Sequence, residues 1–230
     1  MKTHLLAAMV CTALALPGFA QNKIDDRIGT SAEVLNQFLE KPDAIPPALL
    51  NRARCVLVFP SVKKVGVGIG VTYGRGVISC RTGTDYNGPW SAPAMYKLDV
   101  GSIGAQLGTT SVDYVLLVQT KLGAEKVLSG KMKMGADASA VAGPTGAKAV
   151  SASDPNVDIL TYSRAKGGLF AGASLGGASM DTDDDANKTA YGKDVTATQI
   201  ARDGTSVTVT PAGKRFDAIL TKYSPHHTAQ

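Results

Sequence analysis

Ile24, Ile28, Ala32, Leu35, Phe38 and Leu39 recur at helical spacing, while Asp25, Asp26, Arg27, Glu33 and Gln37 stay off that stripe. The pattern predicts an amphipathic helix from Ile24 to Glu40. Lys41-Pro-Asp breaks it, and a shorter helix is expected from Pro46-Pro47 to Arg54, because proline suits a first helical turn. From Cys55 the period changes to two. Val56 to Phe59, Val62 to Thr72 and Gly76 to Arg81 read as strands, with a turn at Pro60-Ser61. Val65, Val67, Ile69 and Val71 alternate with Gly66, Gly68 and Gly70, so one face is branched and apolar and the other has almost no side chains. Glycine inside a strand weakens the sheet, and a run of it signals a sharp bend or the close approach of another group to the backbone.

The glycine phrase occurs twice. Lys64 to Ile78 and Lys166 to Met180 share Gly66/Gly168, Gly70/Gly172 and Gly74/Gly176 when lysine is set on lysine. Between and beyond the copies, Tyr96 to Gly108 is a third glycine-spaced extended stretch and Asp113 to Thr120 an apolar strand. Ala124 to Lys131 is a helix and Lys133 to Val141 a strand. Ile159 to Arg164 and Leu169 to Met180 form a strand pair. Asp181 to Asn187 reads as an acidic loop, Val195 to Arg202 as a helix, and Thr210 to Tyr223 as a capped closing helix with Pro211 in its first turn. Pro225 to Gln230 reads as a loose tail. The predicted class is α+β: a strongly curved, mostly antiparallel, glycine-rich sheet or small barrel, with an N-terminal amphipathic helix and a C-terminal helix packed on it.

Lys2, the apolar run Leu5 to Leu16 and the small residues Gly18-Phe-Ala20 make residues 1–20 a secretory signal cleaved before Gln21. The expectation is an exported chain of one domain, 21–230 with a core of about 25–223, in the periplasm or cell envelope and at most peripheral on a membrane. No later stretch is apolar for the roughly 18 residues that a bilayer span requires. The 24 basic and 19 acidic side chains leave a net +5 that is spread along the chain, so nucleic acid is not an expected partner. Cleavage removes Cys11 and leaves Cys55 and Cys80. In an oxidising compartment they pair, a bridge over about 25 residues adding roughly 3.5 kcal/mol, or they remain two buried thiols.

Several sites of catalysis fail on context. Gly172-Ala-Ser174-Leu-Gly176 matches the nucleophile elbow, with His226 and His227 downstream, but glycines and the run Asp181 to Asp185 follow where a helix is required. A serine hydrolase using Ser174 is therefore the last of the alternatives. Asp181, Asp183 and Asp185 begin like an EF-hand, yet Ala186 and Gly192 replace the glycine and the bidentate glutamate. We expect no enzyme activity, no cofactor and no metal. Arg52, Arg54, Lys63, Lys64, Arg75, Arg164 and Lys166 are basic residues expected around the two glycine copies. If Lys63, Lys64, Arg164 and Lys166 enter matching strands, they lie on one rim and can hold the phosphate oxygens of a lipid headgroup, with Arg75 as a further ligand. Ile28, Leu35 and Phe38 either pack the first helix onto the sheet or supply apolar contact with a membrane.

The order of these pieces resembles the SYLF domain. The resemblance rests on Val56-Leu-Val-Phe-Pro60, Lys64-Val-Gly-Val-Gly-Ile-Gly70, Tyr73-Gly-Arg-Gly-Val77, Gly104-Ala-Gln-Leu-Gly108, Tyr114-Val-Leu-Leu117, Tyr162-Ser-Arg-Ala-Lys-Gly167, Gly172-Ala-Ser-Leu175 and Asn187-Lys-Thr-Ala-Tyr-Gly192. It implies phospholipid binding, with phosphoinositides preferred in eukaryotic members and an N-terminal amphipathic helix at the membrane. Fungal members also bind actin, which an exported protein would not meet, so anionic phospholipids or a membrane surface are the expected partners. The rival expectation is a ligand-free structural or adaptor protein of the envelope.

Overall fold

The computed structural model describes residues 17–41, 45–65, 71–101, 111–145, 154, 156–165, 170–172, 175–192, 194–203 and 207–228. The first amphipathic stripe forms α1 (Pro17–Leu39), followed by α2 (Pro47–Arg52), β1 (Cys55–Val65), β2 (Val71–Cys80), β3 (Ala94–Gly101) and β4 (Val112–Val118). Then come α3 (Lys121–Leu128), β5 (Met132–Lys133), β6 (Ala140–Ala142), β7 (Ile159–Ala165), β8 (Phe170–Gly172) and β9 (Ser179–Thr182). The chain closes with α4 (Asp184–Tyr191), α5 (Ala197–Asp203) and α6 (Pro211–Tyr223). Thr210 caps α6 as its spacing predicts, its side chain accepting from the Gly213 N–H with Pro211 in the first turn.

Four expectations are corrected. The extended run from Val62 to Thr72 is two strands, since Val65 pairs with Val71 in the antiparallel β1–β2 ladder. Lys133 to Val141 is β5, a turn at Gly135 and β6. The acidic loop at Asp181 is the end of β9 and the start of α4, where Asp184 and Asp185 favour the positive end of the helix dipole. The tail is docked through residue 228, with Thr228 N–H on the Asn51 carbonyl and both ring nitrogens of His227 in hydrogen bonds.

Among the described residues nine strands form one sheet in the order β5-β9-β3-β2-β1-β4-β7-β6, with β8 beside β7, and only the β6–β7 pairing is parallel. The two end strands, β5 and β6, are joined by residues 134–139, within which Met134 bridges Ala138, and the sheet curls into a half-barrel. Alternation then sorts the strand residues. Leu57, Phe59, Ile78, Tyr96, Leu98, Leu116 and Met180 fill the inner face, which α3 and α5 close with Val127, Leu128 and Ile200. Val56, Val58, Val77, Met95, Val115, Leu117 and Leu160 face outward and are covered by α1, α2, α4 and α6.

β1 carries one extra residue relative to both neighbours at Pro60-Ser61, where Ser61 takes a φ of 49°. Such a bulge bends and twists its strand. The bend turns Phe59 and Val58 onto β2: a Cβ at Gly76 would lie 2.0 Å from the Val58 oxygen and 2.7 Å from the Phe59 ring. The glycine face is thus filled by neighbouring protein at this point, and Gly76 is what lets the sheet curl. At the other end of the β1–β2 ladder Cys55 and Cys80 are register partners and form a disulfide, which resolves the two readings of this pair.

Candidate functional site

β1 and β7 both pair antiparallel with β4 and therefore run in the same direction on either side of it. Cys55 and Ile159 start level with Val118, and Val62 and Ala165 end level with Val112. β1 and β7 consequently run into the two lysine–glycine phrases at the same end of the sheet. Lys63, facing outward and exposed, and the backbone of Lys64 lie at this end of β1, with Arg164 two strands away on β7. Lys166 and Ser174 lie outside the described residues, as do Gly66, Gly68, Gly70 and Gly168.

Alternation places Lys63, Arg75, Asp113 and Arg164 on the outer face. Arg164 is not available as a simple surface cation: its Nη2 donates to Asp113 Oδ2 at 2.8 Å, and the guanidinium lies 5.8 Å from the Phe38 ring centre. The other oxygen of Asp113 accepts the Ser61 N–H at 2.8 Å. One carboxylate thus ties the bulge of β1 to β7 across β4. Arg75 donates from Nε to the Tyr73 hydroxyl at 2.8 Å and remains exposed.

A second carboxylate gathers the neighbouring cations. Asp183, just before α4, sits 2.8 Å from Arg27 of α1, 3.2 Å from Lys97 of β3 and 3.9 Å from Arg75 of β2. Burial alone would raise its pKa, but the hydrogen bonds and charges of Arg27 and Lys97 outweigh burial and hold it below the ordinary value. Asn187, one turn later in α4, is fully buried and uses its amide on both the N–H and the C=O of Met95. Gly192 then ends α4 in the left-handed conformation, at φ 67°. The Asn187 to Gly192 motif therefore clamps α4 to β3.

Ile28, Leu35 and Phe38, expected as alternatives for membrane contact, are fully buried between α1 and the sheet. The outer face of the sheet is continuous and apolar and needs that cover. Each of these side chains contributes about 1.5–3 kcal/mol by its burial, so in this fold they hold α1 down. Among the described residues no helix is long and apolar enough to cross a membrane, and no group of three or more His, Cys, Asp or Glu side chains is placed to hold a metal. Arg52 and Arg54, expected near the glycine copies, lie at the opposite end of β1, beside the disulfide.

Asp113, Arg27 and Lys97 were not singled out as site residues by sequence reasoning, and Asp183 only within the rejected EF-hand run. Asp113 and Lys97 are single charges between apolar neighbours with no spacing signature. Asp183 offered the one usable signal, an acid just before a helix start. The arginines flanking Cys55 and Cys80 offered another, because pairing the cysteines across antiparallel strands sets Arg54 opposite Arg81.

The family model of Ysc84, described as a Las17-binding protein actin regulator, matches residues 99–223, which include β4, β7 and the Asn187 clamp. The chain belongs to this family. It is the family of the SYLF resemblance. An SH3 domain-containing protein of Schizosaccharomyces pombe is 32% identical over 179 residues, covering 76% of this chain and 40% of that protein. The protein YSC84 of Saccharomyces cerevisiae is 31% identical over 173 residues, 72% of this chain and 35% of its own length. The human SH3 domain-containing YSC84-like protein 1 is 27% identical over 178 residues, 74% of this chain and 51% of its own. The SYLF-family chain thus spans about half or less of the length of these relatives.

Proposed function

We propose that this chain is an exported, non-enzymatic phospholipid-binding protein of the cell envelope that recognises anionic headgroups at a membrane surface. The observation that supports the reading is the shared end of β1 and β7, where Lys63, the backbone of Lys64 and Arg164 lie, with the exposed Arg75 on the neighbouring β2. Clustered cations at a membrane surface add about 1 kcal/mol each toward anionic lipid. Arg guanidinium groups can also grip phosphate oxygens through two hydrogen bonds. Lys166 follows β7 directly in sequence and belongs to this reading by that position alone. Ile28, Leu35 and Phe38 enter this reading only as the residues that seat α1.

Co-sedimentation with vesicles of anionic and zwitterionic phospholipid tests it. Binding is expected to require the anionic lipid, to weaken as salt rises through the Debye regime, and to fall at least tenfold when Lys63, Lys64 and Lys166 are all changed to glutamate. Equal binding to both lipids, or a charge-reversed triple variant that binds as well as the parent, overturns it.

A second reading is a protein adaptor. It is favoured by the relatives, among them the LAS seventeen-binding protein 3 of two Saccharomyces cerevisiae strains, and by the prior commitment of Arg164 to Asp113. Vesicle binding that ignores headgroup charge, together with saturable capture of a protein ligand, selects it.

A further inference from the structure

We propose that the end of the sheet opposite the glycine phrases holds a binding site for a small tetrahedral oxyanion, an inorganic phosphate or a phosphate monoester, formed by Arg54 and Arg81 beside His227. Arg54 and Arg81 flank the Cys55–Cys80 pair on adjacent antiparallel strands, and the Arg81 N–H donates to the Arg54 carbonyl at 2.8 Å. Both side chains fall on the outer parity of the sheet, and both charges act on His227. Like charges directly across a ladder repel.

Arg81 is fully buried. Its Nη2 donates to the Ser224 carbonyl at 2.8 Å and to the Ser224 hydroxyl at 2.7 Å, and its plane lies 4.3 Å from the Trp90 ring centre. Arg54 donates from Nη1 to the Gln119 carbonyl at 2.6 Å. The Nε of each is buried and makes no hydrogen bond to the protein. Among the described residues no carboxylate lies within ion-pair distance of either arginine. Asp85 is the nearest acid felt by Arg54, but its side chain is 69% exposed and pairs with Lys121 at 3.2 Å.

Buried charges are ordinarily paired, because a lone one forfeits its hydration without return. Arg81 stays protonated near neutral pH even though burial brings its pKa down to about 10. Two guanidinium groups with unused N–H donors and no acid match the charge and the acceptor oxygens of a tetrahedral dianion. His227 of the docked tail feels the charge of both arginines, with its two ring nitrogens already engaged. Its ring nitrogens contact Asn87 Oδ1 at 3.1 Å and the Arg52 carbonyl at 3.2 Å. Burial and the charges of Arg54 and Arg81 hold its pKa below the usual value, with the Arg52 carbonyl opposing them. An anion seated there would reverse that electrostatic effect.

The test uses the whole disulfide-bonded protein. Its thermal midpoint is followed in a titration of inorganic phosphate against chloride at matched ionic strength, and the His227 titration is read by NMR. A saturable rise in midpoint is expected, together with an upward shift of the His227 pKa by about one unit. Both effects should weaken at least tenfold in phosphate affinity in Arg54→Gln, and also in Arg81→Gln if that variant folds. Vesicles containing phosphatidic acid separate the sources of the phosphoryl group. If it is a lipid headgroup, free phosphate competes with the vesicles and Arg54→Gln loses vesicle binding; if it is a free anion, the vesicles bind Arg54→Gln and the parent alike. A midpoint that climbs linearly with phosphate, identically in the parent and Arg54→Gln and with an unmoved His227, is the general effect of an excluded salt and overturns the proposal.

Discussion

Arg164 and Arg54 stand at opposite ends of the same curled sheet, roughly 20 Å apart along the strands. Arg164 meets a carboxylate at 2.8 Å, whereas Arg54 donates to a carbonyl oxygen at 2.6 Å. At the glycine end the cations are exposed or partly so, and acids answer them: Asp113 holds Arg164, and Asp183 holds Arg27 and Lys97 with Arg75 nearby. At the disulfide end Arg81 is wholly buried and its answering groups are a serine, a carbonyl and an indole. The difference teaches that the number of cations is a poor guide to where an anion would bind. Exposed cations that already have acids gain little from another anion, while buried cations without acids gain much.

The glycine end depends first on its backbone. Gly76→Ala drives a methyl group to 2.0 Å from the Val58 carbonyl oxygen, and because that neighbour is backbone the strands must part. We expect a loss of at least about 4 kcal/mol in chemical denaturation, or no folded protein at all. A stable Gly76→Ala protein would remove the bulge-and-glycine account of how the sheet curls. The next largest effect is expected for Asp183→Asn, which leaves Arg27 buried against α4 without its charge partner. About 3 kcal/mol should be lost. The Asp183 pKa is depressed in the folded state, so its stabilisation is complete above the unfolded carboxylate value near 4 and disappears as pH falls through the folded one. Acid titration of the parent should therefore show a steeper decline in stability below about pH 4 than that of Asp183→Asn.

Much of this architecture can be read locally. The α6 cap at Thr210 and Pro211, the apolar stripe of α1 and the alternation of β1, β2 and β4 are near-neighbour patterns, and each recurs in the fold, although α1 begins at Pro17, ahead of the expected Ile24. What escaped reading depends on distant partners. α4 begins in Asp183-Asp-Asp, which resembles a solvated loop until Arg27 and Lys97 arrive from elsewhere in the chain to neutralise it. β5 and β6 are too short to show a period and exist through pairing with the longer β9 and β7. The docking of the tail depends on carbonyls of Asn51 and Arg52 that no pattern around His227 foretells. The rim was legible in outline, as lysines ahead of glycines, but its acids were not.

A smaller effect, and a sharper one for function, is expected for Asp113→Asn. It removes the acid that pairs with Arg164, at a site whose two side chains are 21% and 15% exposed. Stability should fall by about 1 kcal/mol, since the Ser61 contact can persist to the amide oxygen. If the rim binds anionic headgroups, the released guanidinium should tighten vesicle binding a few-fold while the Lys63, Lys64 and Lys166 reversal weakens it. Unchanged or weaker binding in Asp113→Asn would mean that Arg164 serves only to join β7 to the bulge.

The smallest expected effect belongs to the disulfide end. His227 has a folded pKa below its unfolded value near 6.5, because burial and the charges of Arg54 and Arg81 disfavour the imidazolium. The unfolded chain therefore binds the proton more readily, and the contribution of this residue to stability is whole above about pH 6.5 and fades as pH falls through the folded pKa. Between pH 7.5 and 5.5 the parent should lose a few tenths of a kcal/mol that His227→Gln does not lose, a difference resolvable by denaturation curves taken side by side. The sign separates the two ends of the molecule: an imidazole facing carboxylates, like the cations of the rim, would gain stability on acidification. A parent that becomes more stable than His227→Gln as pH falls would mean that an acid reaches this cluster, and the contrast between the ends would vanish.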